Sequence, residues 1–129
     1  MPLVNVSLLK GRPKEEKRAL LDAIHAALIG TFKIPENDRH QRIFEFEPED
    51  FVLPEGKTSN YTLIEVSVFP GRSLDAKRKL YRTIMQLLGE LGIQRNDILI
   101  VLNEPPLDNW GVRGGIPASE VDLGFELDV

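Results

Sequence analysis

The 129 residues are 42% hydrophobic and 28% charged, the balance of a chain that buries a core and unlike that of a disordered one. Sixteen basic against twenty acidic residues leave a net charge of -4, so no broad cationic surface is on offer to a phosphate backbone and nucleic acid is not an expected partner. The absence of Cys removes disulfides, thiolate nucleophiles and Cys-ligated zinc, and the two histidines, His25 and His40, do not by themselves make a metal site.

The opening Met-Pro-Leu-Val-Asn-Val-Ser lacks the basic start and apolar run of a secretory signal. No apolar run is long enough to span a bilayer, so a cytoplasmic location without a membrane partner is expected. In residues 3–9, Asn5 and Ser7 alternate with Val4, Val6 and Leu8, the period of a half-buried strand, and Gly11 ends it. Pro13 suits the first turn of a helix, and Leu20, Leu21, Ile24, Ala27 and Leu28 recur at steps of three and four up to Gly30. After a turn at Pro35-Glu36-Asn37-Asp38, residues 42–47 carry Ile43, Phe44 and Phe46 among charged neighbours and predict a second strand, closed by Pro48. Residues 48–60 show no period and read as a connecting loop.

The pattern then starts again, with a strand over 61–69, a turn at Pro70-Gly71, a helix over about 74–91 and a strand over 97–102. Laying Gly71 on Gly11 gives an offset of 60 residues that matches Val6-Ser7 with Val66-Ser67, Gly11-Arg12 with Gly71-Arg72, Lys17-Arg18 with Lys77-Arg78, and Leu20, Ile24 and Leu28 with Leu80, Ile84 and Leu88. With one residue deleted, Asn37-Asp38 falls on Asn96-Asp97. The expected architecture is therefore α/β of the α+β kind: one domain over 1–129, a duplicated β-α-β with repeats at about 2–47 and 61–103 and a tail at 104–129. Right-handed crossovers put both helices on one face of a four-stranded sheet. The other face is left apolar and bare, to be covered by copies of the chain. The tail predicts a turn or short hairpin near 110–115 and an extended end at 125–129 suited to pairing with a neighbouring subunit.

A strand beginning at Pro2, an internal β-α-β duplication and a Gly-Arg pair closing the first strand together resemble the tautomerase superfamily. The run from Pro2 to Arg12 is similar to the opening strand of the 4-oxalocrotonate tautomerases, whose chains are half as long. The double length, Asn37-Asp38-Arg39-His40-Gln41, the Gly71-Arg72-Ser73 turn and Asp108-Asn109-Trp110 resemble the malonate semialdehyde decarboxylase branch. The resemblance implies a homotrimer and a site built around an N-terminal proline, with no cofactor. Carried over residue by residue, it makes Pro2 the catalytic proline, Asp38 the aspartate that assists it or water, Arg72 the cation for a substrate carboxylate, and Trp110 a pocket wall. That branch presents two arginines around the turn, whereas this chain has Pro70 two positions before Arg72, so Arg113, Arg39 or Arg12 has to supply a second cation. His40 reads either as a surface residue at the strand start or as a substrate contact.

An N-terminal proline, freed by removal of Met1, is a secondary amine with a lone pair, which a proline inside a chain is not. Neutral, it serves as a general base that moves a proton between carbon and oxygen of a small 2-oxo acid, a tautomerase reaction. Protonated, it polarises a carbonyl for decarboxylation or hydration of a 3-oxo acid. A non-catalytic trimeric binding module is the third alternative, since fold alone does not specify activity.

Overall fold

The computed structural model describes residues 2–124. The chain runs β1 (Leu3–Leu9), α1 (Lys14–Phe32), β2 (Gln41–Phe46), β3 (Thr62–Ser67), α2 (Leu74–Glu90) and β4 (Ile98–Asn103), followed by the two-residue strands β5 (Gly111–Val112) and β6 (Ile116–Pro117). The first four strands form one sheet in the order β2-β1-β3-β4, in which β1 is parallel to β2, β3 is parallel to β4, and β1 and β3 are antiparallel. This is the duplicated β-α-β architecture expected from the 60-residue offset.

Period-two patterning sorts each strand's side chains between two faces. Val4, Val6 and Leu8 of β1 and Ile64 and Val66 of β3 are buried with Leu20, Ile24, Leu28 and Phe32 of α1 and Leu80, Ile84 and Leu88 of α2, so both helices cover the same face. Asn5, Ser7 and Leu9 lie on the other face, level with Arg42, Phe44 and Phe46 of β2. That face carries exposed apolar groups, among them Phe44, Leu99 and Val101. Arg42 partly shields it, with its guanidinium carbon 5.3 Å from the Phe44 ring centroid and its Nε donating to Asn5 Oδ1 at 3.1 Å.

Antiparallel pairing sets Asn5 opposite Glu65, which are also repeat equivalents, so a local two-fold axis passes between them. Gly11 and Gly71 adopt the same unusual backbone, φ 125° and 126°. The two-fold creates two poles. One holds the starts of β1 and β2 with the ends of β3 and β4; the other holds the reverse.

Two segments differ in detail from expectation. Residues 48–60 open with a 3-10 turn at Pro48–Asp50, and Phe51 packs edge-on against Phe46 and Tyr61, at centroid distances of 5.4 and 6.0 Å. Long-range contacts thus order a segment in which no periodicity was visible. The predicted hairpin forms from β5 and β6, with the Ala118 amide donating to the Trp110 carbonyl at 2.9 Å. The extended end expected at 125–129 lies outside the described residues. Among the described residues no helix is long and apolar enough to cross a membrane.

Candidate functional site

Pro2 is buried at the start of β1, between the two neighbouring strands. On one side Leu3 pairs with Ser67, and on the other the Val4 amide donates to the His40 carbonyl at 2.9 Å. His40 therefore contributes its backbone to β1 while its side chain is exposed. Asp38 sits half-buried in the turn just before it, with its amide donating to Pro35 O at 3.0 Å.

Arg72 comes to this pole because β3 ends there and Gly71 turns the chain sharply toward α2. It is only 6% exposed. Nη1 donates to Phe69 O at 3.3 Å, Nη2 donates to Phe32 O at 3.1 Å, and the guanidinium carbon lies 5.0 Å from the Phe32 ring centroid. Burial lowers its pKa and the nearby Glu104 carboxylate works in the opposite direction; an arginine so placed still carries its charge at neutral pH. Glu104 is itself paired with Lys77 at 2.6 Å. Asp75, three residues after Arg72, pairs with Arg78 at 3.2 Å.

Trp110 is half-buried, its ring edge-on to Phe69 at 4.8 Å, and its Nε1 donates to Pro105 O at 3.1 Å. Phe69 thereby touches both Arg72, through its carbonyl, and Trp110, through its ring. Pro2, Asp38, His40, Arg72 and Trp110 are all brought to one pole.

The three cations considered as substitutes for the arginine absent at Pro70 behave otherwise. Arg12 lies past the far end of β1, a strand of seven residues or roughly 23 Å that begins beside Pro2, which removes it from this site within one chain. Arg39 pairs with Asp22 of α1, at 2.5 Å, and donates to Gln41 Oε1. Arg113 stands exposed on the hairpin with φ 49° and donates to Asp122 O at 2.8 Å.

The opposite pole shows what the same framework does without a proline. Arg12 Nη2 donates to Asn60 O at 2.5 Å, Tyr61 O at 3.1 Å and Thr62 Oγ1 at 3.0 Å. Asp97 is buried and accepts from the Thr58 amide at 2.9 Å and the Thr58 hydroxyl at 2.5 Å. Burial opposes the charged form of Asp97, but the Thr58 bonds and the fields of Lys57 and Arg12 outweigh it and hold the carboxyl below its ordinary value. Residues 58–61 thus lie between an arginine and an aspartate. Under the offset, Thr62 corresponds to Pro2, Arg12 to Arg72 and Asp97 to Asp38. Sequence reasoning missed the Thr58–Asp97 bond, although the offset that equates Asp97 with Asp38 was the available signal. A cavity of about 340 Å³ opens beside Arg12, lined also by Asn60, Glu16 and Ile93. Among the described residues no cluster of His, Asp or Glu is arranged to hold a metal ion.

Two family profiles, both described as tautomerase enzyme, match this chain, one over residues 38–113 and one over residues 2–59. The chain belongs to the tautomerase family. The chain is 29% identical to the protein named probable tautomerase YrdN of Bacillus subtilis (strain 168), over 85% of this chain and 89% of that protein. It is 30% identical to a solved malonate semialdehyde decarboxylase, with a TM-score of 0.79 and coverage of 85% of this chain and 89% of that one. A fused 4-OT solved as a symmetric trimer is 27% identical, with a TM-score of 0.79 over 91% of this chain and 96% of that one.

Proposed function

We propose that this protein interconverts the enol and keto forms of small 2-oxo acids, with the amine of Pro2, freed by removal of Met1, as general base. One observation carries the proposal: the arginine and aspartate that grip residues 58–61 at one pole have repeat counterparts, Arg72 and Asp38, at the other, where β1 begins at Pro2. At the Arg12 pole the groups held are carbonyl oxygens on the guanidinium and N–H and O–H donors on the carboxylate. A substrate in the corresponding place puts its carboxylate on Arg72 and an enol hydroxyl toward Asp38.

In the keto-to-enol direction the Pro2 amine takes a proton from the carbon next to the 2-oxo group. The electron pair moves onto oxygen, and the protonated amine then delivers a proton to that oxygen. Pro2 is buried, and an amine that is buried, or that has a cation close by, favours the neutral form that the first step needs. Arg72 balances the substrate carboxylate and the enolate charge, most strongly where water is excluded. Phe69 and Trp110 furnish an apolar wall, and His40 an exposed contact beside Pro2. Arg113, occupied with the Asp122 carbonyl, is assigned no part. The exposed Phe44, Leu99 and Val101 face supports assembly as a homotrimer, by analogy with the solved fused 4-OT. The reaction as written needs no cofactor.

The test follows phenylenolpyruvate ketonisation by ultraviolet absorbance, after intact mass has verified that Met1 is gone. Pro2→Ala is expected to lose at least about a hundredfold in rate. Unchanged rates in both Pro2→Ala and Arg72→Ala overturn the proposal.

A second reading, decarboxylation or hydration of 3-oxo acids, is favoured by the 30% identity to malonate semialdehyde decarboxylase. There a protonated Pro2 polarises the 3-oxo carbonyl, the bond to the carboxylate carbon breaks, carbon dioxide leaves and the electron pair forms an enol. Pro70, standing where that branch has its other arginine, weighs against it. Carbon dioxide release that vanishes in Asp38→Asn is its signature.

A further inference from the structure

Arg12 and Arg72 are repeat equivalents, yet they are held in different ways. Arg12 is fixed by three oxygens of residues 60–62. Arg72 is fixed from the helix side, by Phe32, the last residue of α1. The Phe32 carbonyl accepts from Nη2 at 3.1 Å, and its fully buried ring lies against the guanidinium, 5.0 Å from its carbon. Phe69 O takes the other terminal nitrogen at 3.3 Å. The corresponding end of α2 reads Leu91-Gly92 and has no aromatic residue to offer Arg12.

We infer that Phe32 is a positioning residue: with its ring beneath the Arg72 guanidinium it sets the orientation of the group that receives the substrate carboxylate, and so sets the enzyme's preference for acids over neutral analogues. This rests on the reading of Arg72 as the carboxylate grip. The physical basis is that a buried guanidinium is attracted to the electron-rich face of an aromatic ring, and is weakly hydrated enough to stay there. The two carbonyls act on the edges of the guanidinium, and the ring adds a hold on its face. Phe32 touches no substrate in this scheme. Its effect therefore appears only where Arg72 is used.

The experiment replaces Phe32 site-specifically with phenylalanines carrying one, two and three fluorines, which weaken the ring face with little change in volume, alongside Phe32→Leu. For each protein the kcat/KM ratio between phenylenolpyruvate and its methyl ester is measured, together with Tm. The expected result is a stepwise fall in the acid-to-ester ratio, on the order of tenfold across the series. The fall sits in KM for the acid, ester kinetics hold, and fluorination has no further effect in an Arg72→Ala background. A ratio that stays at the wild-type value across fluorinated proteins of unchanged Tm, while Arg72→Ala abolishes it, overturns the role of Phe32 alone. A ratio untouched by Arg72→Ala overturns the carboxylate grip, and this inference with it. An equal loss toward acid and ester would show Phe32 to be merely structural and also overturns it.

Discussion

Asn5 and Glu65 face each other across the antiparallel β1–β3 pair, and each holds the other's position in the duplicated unit. The axis between them makes two poles from one plan, each with a positive-φ glycine, an arginine after it and an aspartate at the entry to the outer strand. They differ, among other things, in the residue at the start of the inner strand. At one pole it is Thr62, whose nitrogen is an amide within the chain; at the other it is Pro2, whose nitrogen becomes a free amine once Met1 is removed.

The paired glycines allow the framework and the site to be separated. Gly11→Ala and Gly71→Ala both force a side chain into φ near 125°, a region almost reserved for glycine, and each is expected to cost about 1–3 kcal/mol in urea denaturation. At Gly11 there is open space for a Cβ, so the cost there is backbone strain and not a clash. Only Gly71→Ala, which shifts Arg72, should raise KM for a 2-oxo acid; a raised KM in Gly11→Ala instead would contradict the assignment of poles.

Asp97 should give the protein an acid-sensitive element. Its folded pKa is depressed, so the native state binds fewer protons than the unfolded chain near the carboxylate range, and stability rises with pH there. The contribution is complete above the unfolded value of about 3.9 and is lost as pH falls through the lower folded value. Asp97→Asn should flatten this slope in denaturation measured from pH 2 to 7, at a cost of about 1–3 kcal/mol at neutral pH. An unaltered slope would place the acid sensitivity elsewhere.

Arg12→Ala removes the donor shared by Asn60 O, Tyr61 O and Thr62 Oγ1. Amide hydrogen exchange should quicken across residues 57–62 and stability should fall by about 1–3 kcal/mol, with catalytic constants unchanged. Arg72→Ala should show the reverse balance, with the larger effect on KM.

Trp110 is the one tryptophan in the chain and packs on Phe69, at the pole where β3 ends. Its emission is expected to change as a 2-oxo acid analogue is titrated in, and Pro2→Ala protein should keep that response. Trp110→Phe retains the contact with Phe69 but loses the bond to Pro105 O, and should lower stability by about 1 kcal/mol. Emission indifferent to saturating ligand would move the site away from the hairpin.

The element order, the duplication and the buried side of each strand were legible in the sequence alone, because they follow from local periodicity and a constant 60-residue offset. That offset also equated Arg72 with Arg12 and Asp38 with Asp97 before any coordinates. Which pole each cation serves was decided only by tertiary structure. Arg12, near Pro2 in sequence, is carried away by the length of β1, whereas Arg72, seventy residues on, is returned by the antiparallel turn of β3. The seating of Arg72 on Phe32, the capture of Thr58 by Asp97 and the diversion of Arg113 to Asp122 likewise join residues distant along the chain. Such contacts depend on strand order and helix placement, and periodicity carries no record of them.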